Sequence, residues 1–241
     1  MAEEPTAAAY HAIIDEVARS AEPIARSVTA FSSPRSLAVV PGAYNPPTSA
    51  HLALAKAALG RSFDAVAFSL GTVTIDKPHF GLGLDERLLL LSAICRTEPR
   101  WGVVLHNRGL YAEQAEALHR GFPALDRLVF VVGMDKIGQI FDPRYYNDVE
   151  RSLADLFDRA ELLVAARGSL DRAALERLVS QPVARPFARG IDWLELDPEL
   201  RDVSATAIRE RLSRGEPVAD GLPPLVERYL RDRGPIFSAP D

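Results

Sequence analysis

The sequence predicts an α/β fold, a parallel sheet with helices on both faces, preceded by an N-terminal helical extension. Three observations carry this. Apolar runs such as Leu37-Ala38-Val39-Val40 and Leu128-Val129-Phe130-Val131-Val132 are short and continuous, as in strands buried on both faces. Between them lie segments whose apolar residues recur at spacings of three and four. From residue 37 onwards the two patterns alternate, which is the order of βαβ units.

Each element can be justified in turn. Over residues 6–31, Tyr10, Ile13, Ile14, Val17, Ala21, Ile24 and Val28 form one helical stripe, with Pro23 kinking or splitting it. Ser32-Ser33-Pro34 then punctuates the chain. Residues 1–36 are therefore read as an extension packed on the main body, and 37–241 as the principal domain. Within that domain the strands are expected at 37–40, 65–68, 103–105, 128–132, 162–165 and 191–196. Helices are expected at 49–59, 85–96, 111–120, 148–158, 171–179, 204–213 and 224–232, the first stopped by Gly60 and the third by Gly121. Ligands of such sheets bind beyond the carboxyl ends of the strands, so the loops after residues 40, 70, 105 and 132 are the place to look.

Bulk properties narrow the function classes. The chain has 241 residues and a net charge of −5, with no dense basic run, which argues against a general nucleic-acid binder. Its single cysteine, Cys95, lies in an apolar run and reads as a buried small side chain in a reducing compartment. No stretch approaches the ~20 apolar residues of a membrane span, and the acidic start MAEEPTAAAY is unlike a signal peptide. A cytoplasmic protein without membrane partners is expected. A homo-oligomer is left open.

The first strand–loop–helix junction reads Gly42-Ala43-Tyr44-Asn45-Pro46-Pro47-Thr48-Ser49-Ala50-His51. Gly42 permits a tight turn and close approach of a ligand. Ser49 is a good N-cap, and the helix start offers free N–H groups and partial positive charge to a phosphate. His51 falls in that first turn, with Thr48 just before the cap. A second constellation is Val203-Ser204-Ala205-Thr206-Ala207-Ile208-Arg209. Here Ser204 reads as an N-cap, and Arg209 reaches back over the helix start beside Thr206. The third is Gly133-Met134-Asp135 directly after the strongest strand, where Asp135 suits a ribose hydroxyl or a helix cap.

These segments resemble the adenylyltransferase/cytidylyltransferase superfamily. GAYNPPTSAH is similar to its signature: Gly, a small residue, an aromatic, Asn or Asp, Pro, then His or Thr three residues before a His. Ser204–Arg209 resembles its Ile-Ser-Ser-Thr-x-x-Arg motif with Ala205 in place of one serine, and Gly133/Asp135 its Gly-x-Asp turn. Asp76-Lys77-Pro78 and the ending Leu222–Leu230 resemble the nicotinamide or nicotinate mononucleotide adenylyltransferases, so the resemblance spans about residues 37–237. Phosphopantetheine adenylyltransferases share the first motif and end differently. Class I aminoacyl-tRNA synthetases share the histidine, but no Lys-Met-Ser-Lys-Ser segment is present.

The resemblance implies a Rossmann-like sheet and transfer of AMP from ATP to a pyridine mononucleotide, in NAD biosynthesis, with release of pyrophosphate. Mg²⁺ would travel with the ATP, since no cluster of metal-ligand spacing is visible. It implies that Thr48, His51 and Arg209 are the catalytic donors. Gly42, Ala43, Tyr44, Asn45, Gly133, Asp135, Ser204 and Thr206 would contact the nucleotide, and Lys77 the substrate phosphate. A stacking aromatic is expected for the pyridine, with Trp101, Tyr111 and Trp193 as candidates. The segment Gly109–Glu113 departs from the Ser-Tyr-Thr found in many bacterial members. Two alternatives therefore stand: another phosphate acceptor, or a nucleotide-binding regulatory protein without turnover.

Overall fold

The computed structural model describes residues 6–30, 34–73, 81–234 and 236–237. The strands are β1 (Ala25–Ser27), β2 (Ser36–Pro41), β3 (Ala65–Gly71), β4 (Trp101–His106), β5 (Arg127–Gly133), β6 (Glu161–Ala165) and β7 (Ile191–Leu194). The helices are α1 (His11–Arg19), α2 (Ser49–Leu59), α3 (Leu84–Cys95), α4 (Tyr111–Gly121), α5 (Met134–Ile140), α6 (Val149–Phe157), α7 (Arg172–Val179), α8 (Ala205–Ser213) and α9 (Pro224–Arg233).

One seven-stranded sheet runs β1-β4-β3-β2-β5-β6-β7, parallel except for β1. Counted from β2, the six parallel strands take the order 3-2-1-4-5-6 of a Rossmann-like fold. The order reverses between β2 and β5, where Val39 pairs with Phe130. A crevice must open there, because the loops leaving the two strands diverge to opposite faces.

Strand alternation divides the core in two. Ala38 and Val40 face a cluster with Val17, Ala55, Leu88, Leu91, Ile208 and Val226, which come from α1, α2, α3, α8 and α9. Leu37 and Val39 face the other, with Leu118, Ile137, Leu153, Leu156 and Leu175 from α4 to α7. This is why the strand sequences are continuously apolar: each face meets a helical layer. A fully buried Val, Leu or Phe contributes roughly 1.5–3 kcal/mol here. Cys95 lies in the first cluster, and burial pushes its thiol up to about 12, so it is an inert core side chain.

The extension departs from the expected continuous helix. A 3-10 turn over Ala7–Tyr10 leads into α1, which stops at Arg19, and the chain then turns into β1. Pro23 cannot continue a helical ladder, and the open edge of β4 offers partners to Ala25, Arg26 and Ser27. Asn107, next after β4, fastens the turn. Its Oδ1 accepts from Ile24 N at 3.0 Å, and its Nδ2 donates to the Ser20 and Glu22 carbonyls at 2.8 and 2.9 Å. α5 had no sequence signal, since Gly138 interrupts a short stretch whose Ile137 and Ile140 nonetheless enter the core. No helix among the described residues is long and apolar enough to cross a membrane.

Candidate active site

The loop after β2 is shaped by its aromatic residue. Tyr44 takes a left-handed backbone conformation, φ 49°, rare for a bulky residue and typical of sites where the surroundings enforce it. Its ring folds back over the loop, and a Cβ on Gly42 would sit 3.0 Å from its Cζ, so glycine is required there. Tyr44 is 1% exposed and its hydroxyl donates to the Val40 carbonyl. Only its backbone can meet a ligand; the side chain packs against Phe68 and His51 instead. Asn45 is likewise a brace, its Oδ1 accepting from Leu82 N at 3.0 Å.

The N-cap of α2 is Thr48 rather than Ser49, with His51 at the third helical position. Nδ1 of His51 accepts the Thr48 backbone N–H at 3.0 Å and lies 2.8 Å from the Thr48 hydroxyl. A backbone N–H only donates, so Nδ1 is the unprotonated nitrogen and the proton of the neutral ring sits on Nε2. Burial, and then the charge of Arg167, push the His51 pKa down from 6.5 to about 4. At neutral pH His51 is therefore an uncharged Nε2–H donor. Thr48, 1% exposed, faces the imidazole rather than the crevice, so it positions His51 and does not itself reach a ligand.

α8 brings the second motif to the same place. Ser204 caps it, its hydroxyl accepting from Ala207 N at 3.0 Å. Arg209 donates from Nη2 to Thr206 Oγ1 at 3.0 Å and from Nη1 to the Asn45 carbonyl at 2.9 Å. The two helix N-termini of α2 and α8 are thus joined through one guanidinium. Burial pushes the Arg209 pKa down, yet an arginine stays charged throughout the physiological range.

Two arginines escaped the sequence reading. Arg167, two residues past β6, donates to the Val203 carbonyl at 2.8 Å and places its charge where it lowers the His51 pKa. Its Cβ lies 4.0 Å from the position a Cβ on Gly133 would take, so it also borders the turn after β5. Its place at the carboxyl end of a strand was the available signal. Arg87, near the start of α3, is the other; it is 8% exposed and bonds to the Leu82 and Ala43 carbonyls.

A cavity of about 340 Å³ lies beside this cationic groove and shares its Gly42-Ala43 wall. The carboxyl ends of β3 and β4 form its floor, with Ser69, Gly71 and His106. Tyr111, Tyr145 and Tyr146 supply ring surface, and Arg87, Arg108 and Lys136 supply positive charge. No Asp or Glu is among its described lining residues. Burial pushes His106 down to about 4, so this ring too is neutral.

Of the expected stacking rings, only Tyr111 lines the cavity. Trp101 does not: it begins β4, at the amino end of the sheet, and packs edge-on against Phe68 at 5.6 Å. The carboxyl-end rule excludes it from the ligand side. Trp193 is buried in β7, its indole N–H bonded to Glu195. Gly133 caps α5, and a Cβ there would meet Asp135 Oδ1 at 2.5 Å. Asp135 is close enough to Tyr111 to help raise its pKa, so it borders the cavity and the crevice together. Lys77 lies outside the described residues.

No family model matches the chain. Individual relatives do. A probable nicotinate-nucleotide adenylyltransferase of Klebsiella pneumoniae (strain 342) is 30% identical over 169 residues, covering 66% of this chain and 67% of the relative. Another of the same name, from Geotalea uraniireducens (strain Rf4), is 26% identical over 216 residues, covering 82% of this chain and 96% of the relative. On the extent of that match, the chain belongs to the nicotinate-nucleotide adenylyltransferase family.

Proposed function

We propose that the chain transfers the AMP moiety of ATP to nicotinate mononucleotide and releases pyrophosphate, a step of NAD biosynthesis. The carrying observation is the neutral His51, its Nε2–H held ready by Thr48, between Arg167 and Arg209 and beside a cavity walled by cations. A triphosphate fits the groove made by these donors and the N-termini of α2 and α8. The acceptor fits the cavity.

In the reaction an oxygen of the acceptor 5′-phosphate attacks the α-phosphorus of ATP. The bond from that phosphorus to the bridging oxygen of pyrophosphate breaks, and the electron pair leaves with pyrophosphate. A phosphate monoester is ionised near neutral pH, so no general base is needed. Catalysis consists of in-line positioning and neutralisation of charge. His51 donates to the triphosphate, and Arg209 and Arg167 stabilise the charge that grows on the leaving group.

ATP is proposed to enter as its Mg²⁺ complex. No group of three or more His, Cys, Asp or Glu among the described residues is arranged for a metal ion. The donors around the crevice are guanidinium, imidazole and backbone N–H, which do not fit a resident cation. The ion therefore belongs to the substrate, carried on phosphate oxygens and water.

The acid form of the pyridine is favoured by electrostatics. A carboxylate gains from Arg108 and Lys136, and no lining carboxylate among the described residues opposes it. The names of the relatives point the same way. The test is pyrophosphate release with nicotinate mononucleotide, nicotinamide mononucleotide and phosphopantetheine in separate assays. The expected result is a kcat/KM at least about tenfold higher for the nicotinate form, the worth of one such charged contact. Preference for phosphopantetheine would replace the acceptor. ATP binding with no release from any of the three would make the chain a binding protein.

A further inference from the structure

Arg87 carries a buried charge whose natural counterion is engaged elsewhere. It sits in the first turn of α3, where Nε donates to the Leu82 carbonyl at 2.8 Å and Nη1 to the Ala43 carbonyl at 3.3 Å. A guanidinium has five N–H donors, and no other hydrogen bond is found for Arg87 among the described residues. Both partners are neutral carbonyls. The neighbouring carboxylate, Glu86, accepts from Gly83 N at 2.8 Å, from the Tyr229 hydroxyl at 2.7 Å and from Arg233 Nε at 2.9 Å. Its charge is thereby tied to the α9 side of the helix.

The charge of Arg209 is close enough to Arg87 to push its pKa down, in addition to burial. Two guanidiniums brought together, one of them 8% exposed, are stable only with an anion between or beside them. Their positions differ in a useful way. Arg209 is anchored on the crevice side, to Asn45 and Thr206. Arg87 lines the cavity. Between them runs the 42–45 loop, the wall that the two compartments share.

We propose that Arg87 binds the attacking 5′-phosphate of the acceptor, so that Arg87 and Arg209 bracket the seam at which that phosphate meets the α-phosphate of ATP. The assignment rests on the function proposed above. It gives the acceptor phosphate a protein cation independent of the 74–80 segment. It also gives Ala43 a role: its carbonyl aims the guanidinium, while its backbone walls the cavity.

The shared chemistry is a phosphate group, and either substrate carries one, so the test separates them. Binding is measured calorimetrically for nicotinate mononucleotide, for nicotinate riboside and for the non-hydrolysable α,β-methylene-ATP, on wild type, Arg87→Gln and Arg87→Lys. Loss of a buried charge partner predicts that Arg87→Gln weakens the mononucleotide by about thirtyfold or more. The riboside and the ATP analogue should change less than about threefold, and Arg87→Lys should restore part of the loss, keeping the charge without the fork. Equal losses for mononucleotide and riboside would reduce Arg87 to a brace between Leu82 and Ala43 and overturn the proposal. A loss confined to the ATP analogue would assign Arg87 to the triphosphate and overturn it as well. If Arg87→Gln does not fold, judged by thermal melting, Arg87→Lys carries the same three-ligand comparison, with the loss confined to the mononucleotide. Wild type that binds the mononucleotide through its phosphate but releases no pyrophosphate would sink the proposed function and still support Arg87. Wild type indifferent to the phosphate would sink the Arg87 assignment.

Discussion

Arg209 donates to the backbone carbonyl of Asn45 at 2.9 Å although 164 positions separate them. That bond joins the loop after β2 to the start of α8 and makes one groove of two motifs. It also orders the experiments that follow, because a substitution at either end disturbs both.

Arg209→Lys is expected to lower kcat/KM for ATP by about a hundredfold. The ammonium cannot donate to Asn45 and Thr206 in the flat geometry of the guanidinium and still face a phosphate. Steady-state kinetics at saturating acceptor measure it. The melting temperature should fall only slightly, since the side chain is part-exposed.

His51→Ala should lower turnover by roughly a hundredfold or more, the usual effect of removing one preorganised donor, in a protein that still folds. Thr48→Val acts indirectly, by freeing the imidazole that Nδ1 holds, and its loss should be smaller, about tenfold. Comparable turnover in folded His51→Ala and wild type would remove His51 from the chemistry.

The pH dependence has a defined sign. His51 and His106 are each pushed down from 6.5 to about 4. Above pH 6.5 both are neutral in the folded and the unfolded chain and contribute nothing. As pH falls from 6.5 towards 4 the unfolded chain takes up protons that the folded chain refuses, so stability declines across that window. Urea midpoints at pH 7.5, 6 and 5 should decrease in that order. His106→Gln should remove about half of the slope. Turnover should show no limb from His51 between pH 5 and 8. An acid limb near pH 6 belongs to the substrate phosphate, whose second pKa is about 6, and should persist in His51→Gln.

Gly133→Ala should raise the KM for ATP several-fold with little change in folding. The new Cβ would meet Asp135 Oδ1 at 2.5 Å, so the carboxylate must swing away from the turn after β5. Kinetics with Asp135→Asn provide the comparison: a matching rise assigns the effect to Asp135.

Asn107→Ala tests the extension. Three hydrogen bonds tie Asn107 to Ser20, Glu22 and Ile24. Leaving the Ile24 N–H unsatisfied costs about 1–3 kcal/mol, which lowers the melting temperature by roughly 2–12 °C in a chain of this size. An unchanged melting temperature would mean that β1 holds without its latch.

The sequence alone determined what depends on neighbours along the chain. α2 falls at 49–59, where the Gly60 stop and the apolar spacing place it, and every parallel strand lies on a predicted apolar run. A strand covered on both faces must be apolar throughout, and a helix must keep its stripe, so these elements are written locally. The convergence of Gly42–His51 with Ser204–Arg209 was legible because each motif carries its own helix start. The tertiary structure alone decided which polar groups meet. Ala25-Arg26-Ser27 has no strand pattern and became β1 because β4 had an open edge. Trp101 and Tyr111 look alike as candidate rings, yet they stand at opposite ends of the sheet. The roles of Thr48, Arg167 and Arg87 come from contacts with residues three, thirty-six and forty-four positions away. Charge and hydrogen bonding act through space, and only the folded chain fixes those distances.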